Sequence, residues 1–149
     1  MLTVATYNVN SIRARRERLI GWLGRQPADV VCLQEIKVPD QEFPRLELEA
    51  AGWQVAAHGQ RTYNGVAILS REPLEDVRRG LEDGIPDPEA RLLSARVRGI
   101  RIVNVYVPNG QVVGSDKWRY KLAWLARLRR YLERTAAPTD PLVLCGDFN

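Results

Sequence analysis

The stretch VVCLQE, residues 30–35, indicates the fold class of this chain. Val30–Gln34 forms an apolar run and lacks the alternation of polar and apolar residues that a half-exposed strand shows. Such a run is typical of a strand that is buried on both faces. Glu35 follows directly, and a carboxylate beside a buried strand is costly unless it is paired or bound to a metal. The stretch therefore predicts a buried strand with a functional acid at its end.

Strand-like and helix-like segments alternate on both sides of this stretch. Leu2–Val9 is rich in β-branched and aromatic residues and predicts a strand, and Ser11 is a suitable N-cap for a helix that Pro27 ends. Further strands are predicted at 53–58, 66–70, 92–97 and 100–107, with a short helix at 43–51 and a last strand before residue 146. This alternation predicts an α/β protein built on a mixed β-sheet with flanking helices.

The clearest helix begins at Ser115 or Asp116. Its apolar face is predicted to consist of Trp118, Leu122, Leu125 and Leu132. We interpret the other face as a solvated helix surface rather than a binding site; it carries Lys121, Arg127, Arg130 and Arg134. Residues 80–90 (GLEDGIPDPEA) have no periodicity and predict an acidic loop before this helix.

The composition is that of a globular protein with room for one domain. The chain has 149 residues, of which 45% are hydrophobic and 27% are charged. It has no apolar run of about 18 residues, so no membrane span is predicted, and its first residues lack the basic segment of a secretory signal. Cys32 and Cys145 form no CxxC pair, and we expect two buried reduced thiols in a cytoplasmic protein. The net charge of +4 suits an anionic partner such as nucleic acid, although many basic enzymes bind none.

Polar side chains follow four of the predicted strands: Asn8 and Asn10, Gln34 and Glu35, Tyr106 and Asn109, and Asp147 and Asn149. Ligands of α/β proteins bind beyond the carboxyl ends of strands, so these four clusters can form one site although they are far apart in sequence. Side chains two residues apart on a strand point the same way. We therefore expect Asn8 to share a face with Asn10, and Asp147 with Asn149.

The donors at these strand ends are carboxylates, amides and one phenol. Hard oxygen donors suit Mg²⁺ or Mn²⁺, and Mg²⁺ commonly takes one or two protein carboxylates and leaves room for water and substrate phosphate. The sequence therefore predicts metal-assisted chemistry on a phosphate ester. Each residue also has an ordinary structural alternative, because a strand-end Asn is a common turn former and a Tyr in an apolar strand is commonly a core residue.

Five segments carry the strand-end residues and their neighbours: TYNVNSIRAR (6–15), ADVVCLQEIK (28–37), YNGVAILSR (63–71), NVYVPNG (104–110) and CGDFN (145–149). In this order they resemble the sequence blocks of the exonuclease III family of apurinic/apyrimidinic endonucleases, part of the wider endonuclease–exonuclease–phosphatase superfamily. ADVVCLQEIK is similar to the family's first signature, a strand that ends in Gln-Glu-x-Lys. The resemblance covers essentially all 149 residues.

The resemblance implies a role for each strand-end residue. Glu35 would be the principal metal ligand, with Asn8 beside it in the metal and phosphate site. Tyr106 would donate a hydrogen bond to the scissile phosphate or assist the attacking group. Asp147 would orient or activate the attacking water, or protonate the leaving group. Asn149 would hydrogen-bond the phosphate, and together with Tyr106 and Asp147 it would form the catalytic group. Further phosphate or DNA contacts would come from Asn109, Asn10, Lys37, Arg13 and Arg91.

The activity that the resemblance implies is Mg²⁺- or Mn²⁺-dependent hydrolysis of DNA. The enzyme would cut the phosphodiester 5′ to abasic sites, and would also act as a 3′→5′ exonuclease and clean 3′ ends. Its partner would be double-stranded DNA with abasic sites or 3′ ends, and it would work as a monomer in the cytoplasm. Two alternatives stay open: another phosphoesterase of the superfamily that acts on RNA, phosphoinositides or sphingomyelin, and a DNA-binding homologue without catalysis.

Members of the family are longer than this chain and fold as two facing mixed sheets with helices outside. Their second half brings another metal-site Asp and an Asp-His pair, whereas the only histidine here, His58, matches no catalytic position. Residues 1–149 are therefore expected to be a partial endonuclease/exonuclease/phosphatase domain, the N-terminal half of a four-layered α/β sandwich that is truncated in its final strand. Such a half is expected to expose an apolar sheet face and to be inactive, or nearly so, on its own.

Overall fold

Two mixed β-sheets packed face to face form the centre of the computed structural model of the protein, which describes residues 1–25 and 28–149. The strands are β1 (Val4–Asn8), β2 (Val30–Gln34), β3 (Gln54–His58), β4 (Val66–Ser70), β5 (Glu75–Arg79), β6 (Leu92–Val97), β7 (Ile100–Tyr106) and β8 (Leu142–Asp147). The helices are α1 (Ile12–Leu23), α2 (Arg45–Ala50) and α3 (Asp116–Thr135), with a 3₁₀ turn at Asp40–Glu42. Within the described ranges, no helix has the length and hydropathy to cross a membrane.

Each sheet contains one parallel pair of strands at one edge. The first sheet has the order β1-β2-β4-β3, in which β1 and β2 are parallel and the other neighbours antiparallel. The second sheet has the order β5-β6-β7-β8, in which β7 and β8 are the parallel pair. All five residues of β2 are buried, which confirms the strand predicted from its apolar run.

The layers follow the order helix, sheet, sheet, helix. Alternate residues of β2 and β4 pack inward against the second sheet, in a core formed by Val30, Cys32, Ile68, Leu93 and Ile102 among others. Helices α1 and α2 cover the outer face of the first sheet, where Leu19 and Leu48 belong to the same buried cluster as Val31. Helix α3 covers the outer face of the second sheet through Trp124, Leu128 and Tyr131. The four-layered α/β sandwich is therefore confirmed.

The expectation of an exposed apolar sheet face is wrong. The chain supplies both sheets, so their inner faces cover each other, and helices cover their outer faces. Two of the edge strands, β1 and β8, are only partly buried and lie close together. Every residue of β8 is half-buried, and Cys145 on this strand is therefore not fully buried as predicted, whereas Cys32 is.

Two other local expectations need correction, and a third is confirmed. The helix expected at 43–51 is shorter and covers only Arg45–Ala50, because the residue before a proline is disfavoured in helical geometry and Phe43 is extended; a separate 3₁₀ turn at Asp40–Glu42 precedes it. Strand β5 was not predicted, since its sequence EDVRR is charged and mostly exposed, as suits an edge strand. The N-cap role of Ser11 is confirmed by a 3.2 Å hydrogen bond from the Ala14 N–H to its hydroxyl, while Pro27 lies outside the described residues.

The buried face of α3 differs from the predicted one. Trp124, Leu128 and Tyr131 are buried, whereas Leu122 is 46% exposed. Trp118, Leu125 and Leu132 lie half-buried beside the stripe. The prediction placed the face on Trp118 and three leucines, but the aromatic rings at 124 and 131 bury more apolar surface and determine how the helix is rotated.

The basic face of α3 anchors the acidic loop 80–90. The Arg127 guanidinium donates hydrogen bonds to Asp83 (2.7 Å) and to Asp87 (3.0 Å), and its side chain is only 11% exposed. Arg134 donates to the Leu81 carbonyl at 2.7 Å. The hydrogen bond from Arg127 lowers the pKa of Asp83 to about 2. These two arginines are therefore structural, and only part of this face is freely solvated.

Arg127→Gln is expected to lower the free energy of unfolding near pH 7 by roughly 1.5–3 kcal/mol, the usual range for hydrogen bonds to a charged group. Because the folded-state pKa of Asp83 is depressed to about 2, its contribution is present above an unfolded pKa of about 4 and is lost as the pH falls through 2. Urea titrations should show a flatter pH dependence for Arg127→Gln between these values. Arg130→Gln, at an exposed position of the same helix, is the control, and a variant curve parallel to that of the wild type would contradict the ion pair.

Candidate active site

The carboxyl ends of the two parallel strand pairs meet at one place. In the first sheet Asn8 at the end of β1 pairs in register with Gln34 at the end of β2, and Glu35 follows. In the second sheet Tyr106 at the end of β7 pairs in register with Asp147 at the end of β8. The strand-end clusters that the sequence indicated are therefore assembled from both sheets.

Asn8 joins the two carboxylates of the site. Its Nδ2 group donates to Glu35 Oε2 at 2.5 Å and to Asp147 Oδ2 at 2.7 Å. Its Oδ1 atom accepts the N–H of Asn10 at 3.0 Å. One carboxamide therefore holds an acid from the first sheet and an acid from the second sheet within reach of the same point in space.

The backbone around Glu35 adopts an uncommon conformation. Glu35 and Lys37 have φ values of 52° and 59°, and Asn10 and Ser11 have φ values of 43° and 82°. The left-handed region is unfavourable for non-glycine residues and persists only where neighbouring contacts enforce it. Here the Ser11 N–H donates to the Glu35 carbonyl at 2.8 Å, and the Lys37 N–H donates to the Asn64 carbonyl at 3.0 Å. Tertiary hydrogen bonds thus hold Glu35 in a strained backbone conformation that fixes its orientation.

Lys37 and Asn10 complete the first-sheet side of the site. Lys37 Nζ donates to Asn10 Oδ1 at 2.6 Å and lies 3.6 Å from Glu35 Oε1. The ammonium group offsets part of the negative charge that the two carboxylates bring together. Lys37 and Asn10 are therefore in the cluster, as their motif positions suggested.

Tyr106 faces this cluster from the second sheet. Burial raises the pKa of its phenol, and the negative charges of Glu35 and Asp147 raise it further, while Arg91 acts in the opposite direction. The Arg91 guanidinium carbon lies 5.0 Å from the centroid of the Tyr106 ring, and Nη1 donates to the Tyr106 carbonyl at 3.1 Å. Glu89 pairs with the same guanidinium at 2.7 Å. Arg91 is thus 9% exposed and supports Tyr106 from behind.

The two other predicted phosphate-binding amides lie next to the cluster and make turn contacts. Asn149 Nδ2 donates to the Val107 carbonyl at 2.8 Å, and the Asn149 N–H donates to Asp147 Oδ1 at 3.0 Å. Asn109 Oδ1 accepts the Gln111 N–H at 2.9 Å, and Asn109 lines a cavity of about 460 Å³ together with Tyr106 and Arg91. The ordinary role of these residues as turn formers is therefore present beside any role in phosphate binding.

Two residues stand apart from the cluster. Arg13 lies on the first turn of α1, where its guanidinium is 3.4 Å from Glu42 and its side chain is 71% exposed. His58 lines a different cavity of about 280 Å³, together with Arg79 and Asp83, and burial lowers the pKa of its imidazole. The structure therefore brings Arg13 into no contact with Glu35 or Asp147 in the described ranges.

Sequence reasoning missed Asn104. This residue is fully buried on β7, and its side chain hydrogen-bonds to Gln34 across the gap between the sheets. The available signal was a polar residue inside the apolar run IVNVYV, two positions before Tyr106 on the same face of the strand.

The donors of the cluster fit a hard divalent cation that keeps part of its water. In the described ranges no group of three or more His, Cys, Asp or Glu side chains could hold a metal ion. Mg²⁺ does not require such a cage, because it usually takes one or two carboxylates and completes its shell with water and substrate phosphate. Glu35 and Asp147 provide two carboxylates at one point, and the Asn8 NH₂ group donates to both and orients them.

Glu35→Gln is expected to lower the pKa of Tyr106 toward the value for an ordinary phenol, because the variant removes the negative charge that disfavours tyrosinate. Burial still applies in the variant, so the pKa should stay above the usual value. The change can be followed by NMR with ¹³C-labelled tyrosine rings, in which Tyr106→Phe identifies the signal. Glu42→Gln is the control, and an unchanged titration in Glu35→Gln would contradict the proximity of the two groups.

A family model and solved structures match nearly the whole chain. Residues 5–149 match the model described as the Endonuclease/Exonuclease/phosphatase family. Exodeoxyribonuclease III of Haemophilus influenzae is 32% identical over 97% of this chain and 56% of its own length. An AP endonuclease from Archaeoglobus fulgidus is 43% identical with a TM-score of 0.94, over 99% of this chain and 57% of its own. A 3′ phosphatase from Neisseria, solved with a product DNA hairpin, is 39% identical with a TM-score of 0.93, over 100% of this chain and 58% of its own.

These matches confirm the resemblance to exonuclease III-type proteins that the motifs indicated. The chain spans a little more than half the length of the relatives it matches. The matched region contains all four strand ends that form the cluster, from Asn8 to Asn149. On this sequence and fold, the chain belongs to the Endonuclease/Exonuclease/phosphatase family.

Proposed function

We propose that this chain carries the Glu35–Asp147 part of the active site of a Mg²⁺-dependent DNA-repair phosphodiesterase of the exonuclease III type. The observation that carries the proposal is the Asn8 carboxamide, which holds Glu35 and Asp147 at one point opposite Tyr106. A pure DNA-binding protein has no evident need for two converging acids with a strained backbone beneath one of them.

The side chains divide the work of phosphodiester hydrolysis between them. Glu35, with Asn8 and Asp147 close by, would hold the divalent cation, which when bound supplies positive charge next to the phosphoryl oxygens. Tyr106 stays protonated because its pKa is raised, and so it can donate a hydrogen bond to a phosphate oxygen. Asp147 accepts N–H groups from Asn8 and Asn149, and its fixed carboxylate can orient a water molecule and accept its proton. The electrostatic setting thus favours the charge that develops on phosphorus-bound oxygens.

DNA is the substrate class that the chain's charge and its relatives favour. The net charge of +4 suits a polyanion, and the Neisseria relative was solved with a product DNA hairpin. We extend the proposal to hydrolysis 5′ to abasic sites, with 3′→5′ exonuclease and 3′-end-cleaning activity, as the names of the relatives suggest. Action as a monomer and a cytoplasmic location stay predictions.

Glu35→Gln is the decisive substitution for this function. Incision of a duplex with a single abasic site in the presence of Mg²⁺ should fall by at least about 100-fold, because the variant removes the charge that holds the cation and keeps the shape of the side chain. The fall should be measured in the longest open reading frame that contains residues 1–149, because these residues alone are expected to show little or no incision. Glu42→Gln is the matched control, since Glu42 pairs with Arg13 outside the cluster.

The same assay tests the other expectations about activity. Residues 1–149 alone are expected to show little or no incision, and a chelator should abolish any incision that occurs. A soluble inositol phosphate offered in place of the abasic duplex separates the DNA-repair assignment from other phosphoesterases of the superfamily. Incision at the wild-type rate by Glu35→Gln, or preference for the inositol phosphate, would contradict the proposed function.

Arg91 was predicted to contact DNA, and its surroundings suggest a different role. Each phosphate contact that a protein loses reduces the slope of log affinity against log salt by about 0.9. Because the Arg91 guanidinium is already held by Glu89 and Tyr106, Arg91→Gln should leave this slope unchanged in duplex-binding titrations. Lys117→Gln is the comparison, since this exposed lysine lines the cavity that Arg91 shares with Tyr106 and Asn109. A slope reduced by about one unit in Arg91→Gln would support the phosphate contact instead.

A further inference from the structure

Gln34 and Asn104 form a buried amide pair between the two sheets. Gln34 Nε2 donates to Asn104 Oδ1 at 2.8 Å, and both side chains are almost fully buried. Asn104 Nδ2 donates to the Leu33 and Ala67 carbonyls of the opposite sheet, each at 2.9 Å. Gln34 Nε2 also lies within hydrogen-bond distance of the Thr6 hydroxyl at 3.0 Å. The second sheet is therefore hydrogen-bonded to β1, β2 and β4 of the first sheet through these two amides.

This arrangement is unusual for the interior of a sandwich. Facing sheets are normally held by apolar side chains, and a buried polar group is costly unless its hydrogen bonds are made. Apolar packing between sheets tolerates small slides, since it has no direction, whereas a satisfied hydrogen-bond network fixes a geometry. No buried side-chain nitrogen or oxygen in the described ranges lacks a partner. The pair thus fixes the relative position of the sheets at this level.

The pair lies directly beneath the candidate active site. Gln34 is the residue before Glu35, and Asn104 is two residues before Tyr106 on the same face of β7. Asn104 also pairs in register with Cys145, two residues before Asp147 on β8. Strands β2 and β7 therefore carry the two amides themselves, and β8 is paired with β7 at the level of Asn104. In each strand the contact with the pair lies within two residues of Glu35, Tyr106 or Asp147.

We propose that Gln34 and Asn104 are positioning residues that set the gap across which Glu35 faces Tyr106 and Asp147. The proposal rests on the proposed function, in which the two acids act together on one phosphate. In this role the pair keeps Glu35 of the first sheet aligned with Tyr106 and Asp147 of the second sheet. In this view the Asn8 hydrogen bonds to both acids are a consequence of that register.

The proposal is tested on the Asn8 carboxamide, whose ¹⁵N and proton signals report its two hydrogen bonds without any need for catalysis. Gln34→Met keeps the length of the side chain and removes its donor, and Asn104 keeps its two bonds to the first sheet. We expect the Asn8 NH₂ signals to shift and their protons to exchange at least about tenfold faster in this variant, the equivalent of one lost hydrogen bond.

Ser70→Ala is the control for a polar group lost elsewhere in the core. Ser70 is fully buried at the other end of β4, in register with Val30, and its hydroxyl accepts the Glu72 N–H. This variant should leave the Asn8 signals unchanged. A folded Gln34→Met protein with wild-type Asn8 signals would overturn the proposal.

A second measurement on the wild-type chain covers the case in which Gln34→Met does not fold. Native-state hydrogen exchange under increasing denaturant should show the Asn8 and Asn104 carboxamides losing protection in the same opening event. Opening of Asn8 while Asn104 stays protected would overturn the proposal. These readouts stand apart from incision, so a phosphodiesterase hypothesis that fails in Glu35→Gln is distinguished from a positioning hypothesis that fails here.

Discussion

The bridge that Asn8 makes between Glu35 and Asp147 is the interaction on which the geometry of the candidate site depends. Asn8 donates to Asp147, which lies 139 positions away along the chain, and to Glu35, which follows the end of β2. Two carboxylates at one point repel each other, and an amide that donates to both offsets part of that cost. Lys37 offsets a further part. In the proposed function, the remaining negative charge is what would attract the divalent cation.

The sandwich supplies the conditions for that bridge. Each sheet ends in a parallel pair of strands, so the polar residues that follow β1 and β2 leave the first sheet together, as do those that follow β7 and β8 in the second. The apolar core between Val30 and Ile102 brings the sheets together, and the amides of Gln34 and Asn104 add direction to that contact. The residues between the sheets therefore both stabilise the fold and set the geometry of the site.

Much of the fold could be predicted from local pattern. The uninterrupted apolar run of β2 and the serine cap at position 11 act over a few residues, and both were recognised, while the start of α3 was placed at Ser115 or Asp116. Strand β5 was not, because a charged edge strand has no apolar signal to detect. The rotation of α3 was misjudged because Trp124 and Tyr131 outweigh Leu122 in buried area.

The candidate site shows where prediction from sequence stops. Motif resemblance selected Asn8, Glu35, Tyr106 and Asp147, and the structure brings them together. The same reasoning added Arg13 and Arg91, whose charges are engaged by Glu42 and Glu89. Whether a basic side chain is paired with an acid depends on tertiary contacts that no local sequence pattern contains. Asn104 was missed for the same reason, because its importance comes from a partner in the other sheet.

The half-buried edge strand β8 has a consequence for handling the molecule. Its outer edge presents backbone N–H and carbonyl groups without a neighbouring strand in the described part of the chain, beside partly exposed Leu142 and Leu144. Such an edge is a template for pairing with another polypeptide, and the β-branched and aliphatic residues along it favour that pairing. Along this edge, intermolecular sheet extension is the route by which concentrated preparations of these 149 residues would associate, and a charged substitution on β8 is the means to suppress it.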